Sequence, residues 1–217
     1  MGNVAAEILS PEKALIFRIT HRSNLPWIFQ NGLHCRRSDI VDPDFVSIGH
    51  PELIERRCHR VVELPPGGTL EDYVSFYFTP FSPMLLNIKT GWGVKQRAND
   101  EIVILISSLP ALEANNVSYL FTDRHAYLKT ANFFSDRNDI ETAIDYPLLR
   151  SRNFTRDSEH PENFERYQAE ALAYRHVPVD ALMGVGCYTS AIKDEIETMC
   201  SDLPVDLKVV VRSGWYF

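Results

Sequence analysis

Residues 73–84, Tyr-Val-Ser-Phe-Tyr-Phe-Thr-Pro-Phe-Ser-Pro-Met, join a strand pattern directly to a helix start. The first half alternates on a period of two with aromatic and β-branched side chains. Pro80 has no N–H to give to a ladder and restricts Thr79 before it, while Ser82 followed by Pro83 matches an N-cap and a first helical residue. Such a junction turns backbone N–H groups and the positive end of a helix dipole outward, which suits an anion such as a pyrophosphate. The same residues also satisfy a plain core strand followed by a capped helix. Basic residues fall into three groups: Arg56, Arg57 and Arg60 around His59; Lys89, Lys95 and Arg97; and Arg150, Arg152 and Arg156. Brought together they would line a groove for phosphates; dispersed they are solvated surface.

The totals bound what such a groove can be. A formal net charge of −7 over 217 residues argues against a protein that coats nucleic acid non-specifically, though not against a local basic groove. With 45% hydrophobic and 24% charged residues the chain can bury one good core, so residues 1–217 are expected to form one domain. Cys35, Cys58, Cys187 and Cys200 show no Cys-x-x-Cys pair and no histidine at zinc-ligand spacing, which indicates neither a disulfide framework nor a metal. Free thiols fit a reducing cytosol, hence a cytoplasmic protein. Residues 1–10 lack a basic stretch followed by an apolar core, and no run is long enough for a membrane span. Gly2 invites lipidation, but Ala6 stands where that pattern needs Ser or Thr.

The elements that must position these residues are mixed. Residues 14–21 read as a first strand ending on His21, with Ser23 or Asn24 capping a helix over 25–30 that Asn31 and Gly32 close. Periodicity fades from 35 to 68, apart from a short helix near 51–57. A helix over 83–89 follows the organising strand, and 101–107 is almost wholly apolar, the mark of a strand buried on both faces. Further strands are expected at 117–121, 183–188 and 207–212, and helices at 139–144 and 190–200, the last capped by Ser190. Residues 163–176 read both ways: propensity favours a helix with Glu170 exposed, and alternation favours a strand with Glu170 on one face of a sheet. Helices and strands do not alternate regularly, and no G-x-G-x-x-G or P-loop is present.

Several blocks, taken in order, carry a family resemblance: His21-Arg-Ser-Asn24-Leu-Pro with Asn31-Gly-Leu33, Gly67-Gly68, residues 73–84, 101–105, Thr122-Asp-Arg-His125-Ala, Gln168-Ala-Glu170-Ala and Arg212-Ser-Gly-Trp-Tyr. In these the chain resembles the DarT family of bacterial DNA ADP-ribosyltransferases, the toxins of DarTG toxin–antitoxin systems. The resemblance implies an α+β ADP-ribosyltransferase fold, two β-sheets around an NAD-binding cleft with peripheral helices. It implies NAD as co-substrate, thymidine in single-stranded DNA as acceptor, and a macrodomain antitoxin, DarG, as partner. It makes Glu170 the catalytic glutamate, which selects the strand reading of that segment, and Arg57 the arginine facing the acceptor base and the cofactor. His21, Asn24, Gly32, Leu33 and Tyr77 match the nucleotide-binding positions, and Arg56, Met84, Arg97 and His125 the DNA side. Two other readings keep the fold: a different acceptor (another DNA base, RNA or protein), or a nucleic-acid-binding module without activity.

Overall fold

The structure is a computed structural model of the chain and describes residues 8–156, 158–201, 203 and 205–217. The readings of Gly2 and Ala6 lie outside the described residues. In chain order the elements are β1 (Leu15–His21), α1 (Leu25–Asn31), β2 (Leu33–His34), α2 (Pro51–Arg57), β3 (Tyr73–Tyr77), α3 (Pro83–Thr90), β4 (Ile102–Ser108), α4 (Leu109–Ala114) and β5 (Tyr119–Thr122). There follow β6 (Phe133–Phe134), α5 (Ile140–Ala143), α6 (Tyr146–Ser151), α7 (Asn163–Arg166), β7 (Glu170–Tyr174), β8 (His176–Val177), β9 (Gly184–Cys187), α8 (Ser190–Cys200) and β10 (Lys208–Val211). This is an α+β fold, with no helix among the described residues long and apolar enough to cross a membrane.

The strands run β10-β9-β4-β1-β3-β7-β5-β6, with β2 and β8 as a separate ribbon. The ladder is not uniform. β1 faces β4 from Leu15 opposite Ser108 through His21 opposite Ile102, but meets β3 at one register pair, Phe17 opposite Tyr77. Beyond that pair the later residues of β1 and the earlier ones of β3 leave the ladder, so two four-stranded halves meet along a narrow seam. These halves are the two sheets expected around a cleft. Arg18 bridges the parting strands, its Nη1 donating to Ser75 O at 2.7 Å, so a side chain serves a carbonyl that the neighbouring strand leaves unpaired.

The apolar run over 102–105 is fully buried in β4, which lies between β1 and β9 as a central strand should. Phe17, Phe76, Phe78 and Phe121 pack in the core with Tyr146 and Tyr167. Ser82 caps α3 as expected, accepting from Leu85 N at 3.2 Å. Two expectations need correction and a third is borne out for Glu170 and refined before it. Thr189, not Ser190, caps α8, accepting from Ile192 N, because the helix begins one residue earlier than its second hydroxyl suggests. Asn24 makes no capping bond to α1; a 3-10 turn over Arg22–Asn24 intervenes, with the His21 side chain accepting from Ser23 N. Residues 163–176 adopt both readings in succession, α7 and then β7. Two helices were passed over, α4 and α6, although each has a side-chain cap and a proline in its first turn, Ser108 with Pro110 and Asp145 with Pro147.

Gly32 closes α1 at φ 76°, its N–H reaching Ile28 O. A Cβ there would stand 2.4 Å from Val177 O and 2.6 Å from the His176 ring, so the ribbon seats against a residue without a side chain. Gly32→Ala is expected to cost about 2 kcal/mol or more from left-handed strain and steric overlap. Calorimetry should then record a melting temperature lower by roughly 4 °C or more; an unchanged melting temperature would show that the ribbon is not seated this way.

Candidate active site

Glu170 opens β7, opposite Tyr77 on β3, and is 2% exposed. Small neighbours, Ala169, Ala171 and Ala173, let the strand lie deep in the sheet, and the Glu170 N–H donates to Thr122 Oγ1 at 3.2 Å. Arg57, the last residue of α2, meets the carboxylate with both ends of its fork: Nη1 to Oε1 at 3.1 Å and Nη2 to Oε2 at 3.0 Å. Nη2 also donates to Ser75 Oγ at 2.6 Å. His125 Nδ1 lies 2.9 Å from Oε1, and the backbone N–H of Ala126 donates to the same oxygen at 2.9 Å. Oε1 therefore has three protein partners and Oε2 has one. Oε2, with one partner, keeps an acceptor site for a ligand.

The electrostatics favour a permanent anion. Burial alone would raise the Glu170 pKa, but Arg57 first and His125 after it outweigh burial and hold the carboxyl well below the ordinary carboxylate range. Burial, with Glu170 nearby, pushes the Tyr77 phenol far above its usual value, so it stays protonated. Arg18 is pulled down to about 10, chiefly by burial and then by Arg57. Among the described residues no carboxylate lies within ion-pair distance of Arg18. It is a half-buried cation in the parted seam without an anionic partner of its own, a site that fits the diphosphate of a dinucleotide.

The expected site residues divide. Glu170, Arg57, Tyr77 and His125 come together, and His125, expected toward DNA, stands directly on the carboxylate. Arg56 is exposed on the other side of α2, 3.7 Å from Glu52, so the helix presents Arg57 and not its neighbour to the carboxylate. His21 and Arg97 both reach Glu101 Oε1, at 3.5 and 2.9 Å. Arg97 thus adjoins the end of β1 beside His21. Asn24 is fully buried and clamps the loop around Val46, its Oδ1 accepting from Val46 N at 2.9 Å and its Nδ2 donating to Val46 O and Thr20 Oγ1. Gly32 and Leu33 seat the ribbon against Val177 instead of facing Glu170, and Met84 packs half-buried on the core in the first turn of α3. The helix start proposed as an anion site gives the Leu85 N–H to its own cap.

The arginines of the basic groups take different partners. Arg60 lies over Phe133 and Arg152 over Phe81, while Arg57 is the one tied to Glu170. Sequence reading missed Arg18, Ser75, Thr122 and Ala126. Arg18 left a trace, a lone charge inside the apolar run Leu-Ile-Phe-Arg-Ile. Thr122 and Ala126 lie within the block Thr122-Asp-Arg-His125-Ala, but a residue that contributes only its backbone N–H, as Ala126 does, carries no side-chain mark of that role. Among the described residues no group of three or more His, Cys, Asp or Glu is placed to hold a metal ion.

The family model for DarT, ssDNA thymidine ADP-ribosyltransferase, matches residues 17–217. A DNA ADP-ribosyl transferase of Escherichia coli O127:H6 (strain E2348/69 / EPEC) is 48% identical over 210 residues, 96% of this chain and 96% of that one. Thermus sp. 2.9 DarT in complex with ADP-ribosylated ssDNA superposes with a TM-score of 0.87 at 32% identity, over 95% of this chain and 98% of that one. The same Thermus protein in complex with NAD+ gives 0.82 at 29% identity, over 95% and 99%. The chain belongs to the DarT family and is an NAD-dependent ADP-ribosyltransferase of thymidine in single-stranded DNA.

The depressed Glu170 pKa makes a pH-dependent prediction. The folded value lies below the unfolded one of about 4.3, so the ion pair stabilises fully above that pH and is lost as pH falls toward the folded value. Glu170→Gln is expected to be less stable than the wild type by about 1–3 kcal/mol at pH 7. In urea unfolding the gap should narrow below about pH 4; a gap that is equal at pH 7 and pH 3 would show that the carboxylate is not held ionised.

Proposed function

We propose that Glu170, Arg57 and His125 form the transfer centre of this enzyme, and that the observation carrying this assignment is the unequal saturation of the Glu170 carboxylate. NAD supplies the ADP-ribosyl group and releases nicotinamide. Glu170, fixed as an anion in a nearly dry setting, stabilises the positive charge that grows at the anomeric carbon as the nicotinamide–ribose bond breaks. Its Oε2 accepts from a ribose hydroxyl while Oε1 stays with His125 and Ala126. Arg18 and Arg57 offset the diphosphate charge, and Tyr77 walls the nicotinamide end. Support for this orientation comes from the adjacency of Tyr77 and Glu170 in the β3–β7 ladder.

The acceptor nitrogen of thymine must lose a proton as its bond to the anomeric carbon forms. Glu170, with its pKa depressed, is a poor base for that proton. His125 suits the task better: the 2.9 Å contact with the carboxylate favours the proton on Nδ1 over the longer 3.4 Å approach of the Tyr127 N–H, which leaves the Nε2 lone pair to take the thymine proton, and the carboxylate stabilises the resulting imidazolium. Arg57 orients both partners. Single-stranded DNA as acceptor exposes the atom that base pairing would hide. The family further supports action as the toxin of a toxin–antitoxin pair, countered by a macrodomain antitoxin of the DarG kind. The free cysteines are consistent with a cytoplasmic setting.

Incubation with NAD+ and defined oligonucleotides, followed by mass measurement, is expected to show one ADP-ribose added to thymidine-containing single strands. Labelling of RNA or protein in place of DNA would reject this acceptor, and absence of nicotinamide release would reject catalysis. Glu170→Gln should lower the transfer rate by about 10²–10³-fold with NAD+ affinity retained. His125→Ala should lower it by about 10²-fold or more, also without loss of NAD+ affinity. If His125→Ala retains the wild-type rate at saturating DNA, another group is the base.

A further inference from the structure

We propose that the turn following α3 is a stacking platform for the DNA strand, with Trp92 beneath a nucleobase outside the acceptor position and Lys89 and Lys95 against the phosphates. The inference rests on single-stranded DNA being the substrate. Trp92 is 69% exposed, more than any other large hydrophobic side chain among the described residues. Among the described residues no ring stacks on Trp92 and no cation sits over it. Single exposed apolar residues are common and prove nothing by themselves. Three further observations set this one apart.

The first is rigidity. Gly91 ends α3 in the left-handed region, φ 78°, with its N–H on Asn87 O at 2.8 Å, and Trp92 N reaches the same oxygen at 3.1 Å. On the far side Arg97 N donates to Ile88 O at 3.0 Å and Gln96 Nε2 to Lys89 O at 3.0 Å. Gly93, φ 68°, packs so closely on His50 that a Cβ would lie 2.8 Å from the ring. The backbone that carries the exposed ring is therefore fixed, so its ordering adds no entropy cost when a base covers the ring.

The second is charge. Lys89 and Lys95 stand three residues to either side of Trp92 in the chain, and among the described residues neither has a carboxylate within ion-pair distance. In a chain of net charge −7 this pair of unneutralised cations beside one aromatic face is local electrostatic design. A stacking ring between cations is the pattern of single-strand binding. A protein interface would exclude lysine from its centre.

The third is position. His50, which Gly93 touches, immediately precedes α2, and α2 ends on Arg57, which holds Glu170. Seven helical residues span roughly 10 Å, so one short helix links the residue against which the turn packs to the arginine that holds the carboxylate.

The test is steady-state transfer to two oligonucleotides, one with several nucleotides on both sides of the acceptor thymidine and one trimmed close to it. Trp92→Ala should raise KM for the long strand about tenfold, within the range seen when a stacking residue is removed. Its kcat, its NAD+ KM and its KM for the trimmed strand should stay near wild type, and Trp92→Phe should restore most of the long-strand affinity. Lys89→Glu with Lys95→Glu should weaken long-strand binding and flatten its salt dependence. An unchanged long-strand KM in Trp92→Ala overturns the proposal, as does an equal loss on both strands. So does a change confined to inhibition by the antitoxin, which would make the turn a protein-docking surface. Failure of the wild type to modify any strand sinks the DNA reading beneath it, whereas wild-type transfer with an unaffected Trp92→Ala sinks the platform alone.

Discussion

A carboxylate almost removed from water stays ionised at Glu170 because a guanidinium arrives from 113 residues earlier in the chain to meet it with both nitrogens. Neither partner belongs in such a place alone. An isolated buried carboxylate would take up a proton, and an isolated half-buried arginine would draw in solvent. Together, with His125 and the Ala126 N–H completing one oxygen, they form a fixed dipolar array that needs little rearrangement when charge appears on a substrate. The cost is borne by the fold. Breaking such a pair by removing one member leaves the other unpaired, so the pair constrains α2 and β7 to their places.

The second constraint is the seam. One register pair between β1 and β3 is enough to make the two halves of the sheet continuous, and too little to close them. A full ladder there would satisfy Ser75 O with a strand N–H and leave Arg18 no carbonyl to hold. Partial pairing instead puts Arg18, Ser75 and Arg57 in contact along the parting strands, next to the carboxylate they serve. The same economy recurs at the other end of β1, where His21 and Arg97 share Glu101, and where Asn24 gives up a capping role to anchor the long loop through Val46. Long loops carry function when something fixes them, and a fully buried amide with bonds in both directions is such a fixture.

Much of the fold was legible along the chain because the signals are local. Period-two alternation marked β3, the unbroken apolar run marked β4, and Ser82 with Pro83 marked the start of α3. α4 and α6 carried the same kind of signal and were overlooked. Position 170 was different. Helical propensity and strand alternation overlap within residues 163–176, and the chain uses each over its own half, a division set by packing against β3 and β5.

What the sequence determined by itself was the inventory: a solitary glutamate behind Gln168 and Ala169, an arginine pair at 56 and 57, an arginine within an apolar strand, and blocks in an order specific enough to mark the family. What only the tertiary structure decided was which of these meet. Helical phase turned Arg57 inward and left Arg56 beside Glu52, and strand pairing carried His125 to the carboxylate, while Glu101 joined His21 from 80 residues away to its near neighbour Arg97. The reason is physical. Propensity and capping act over a few residues and are written in adjacent positions, whereas an ion pair across 113 residues depends on where separate strands and helices pack, which no local pattern encodes.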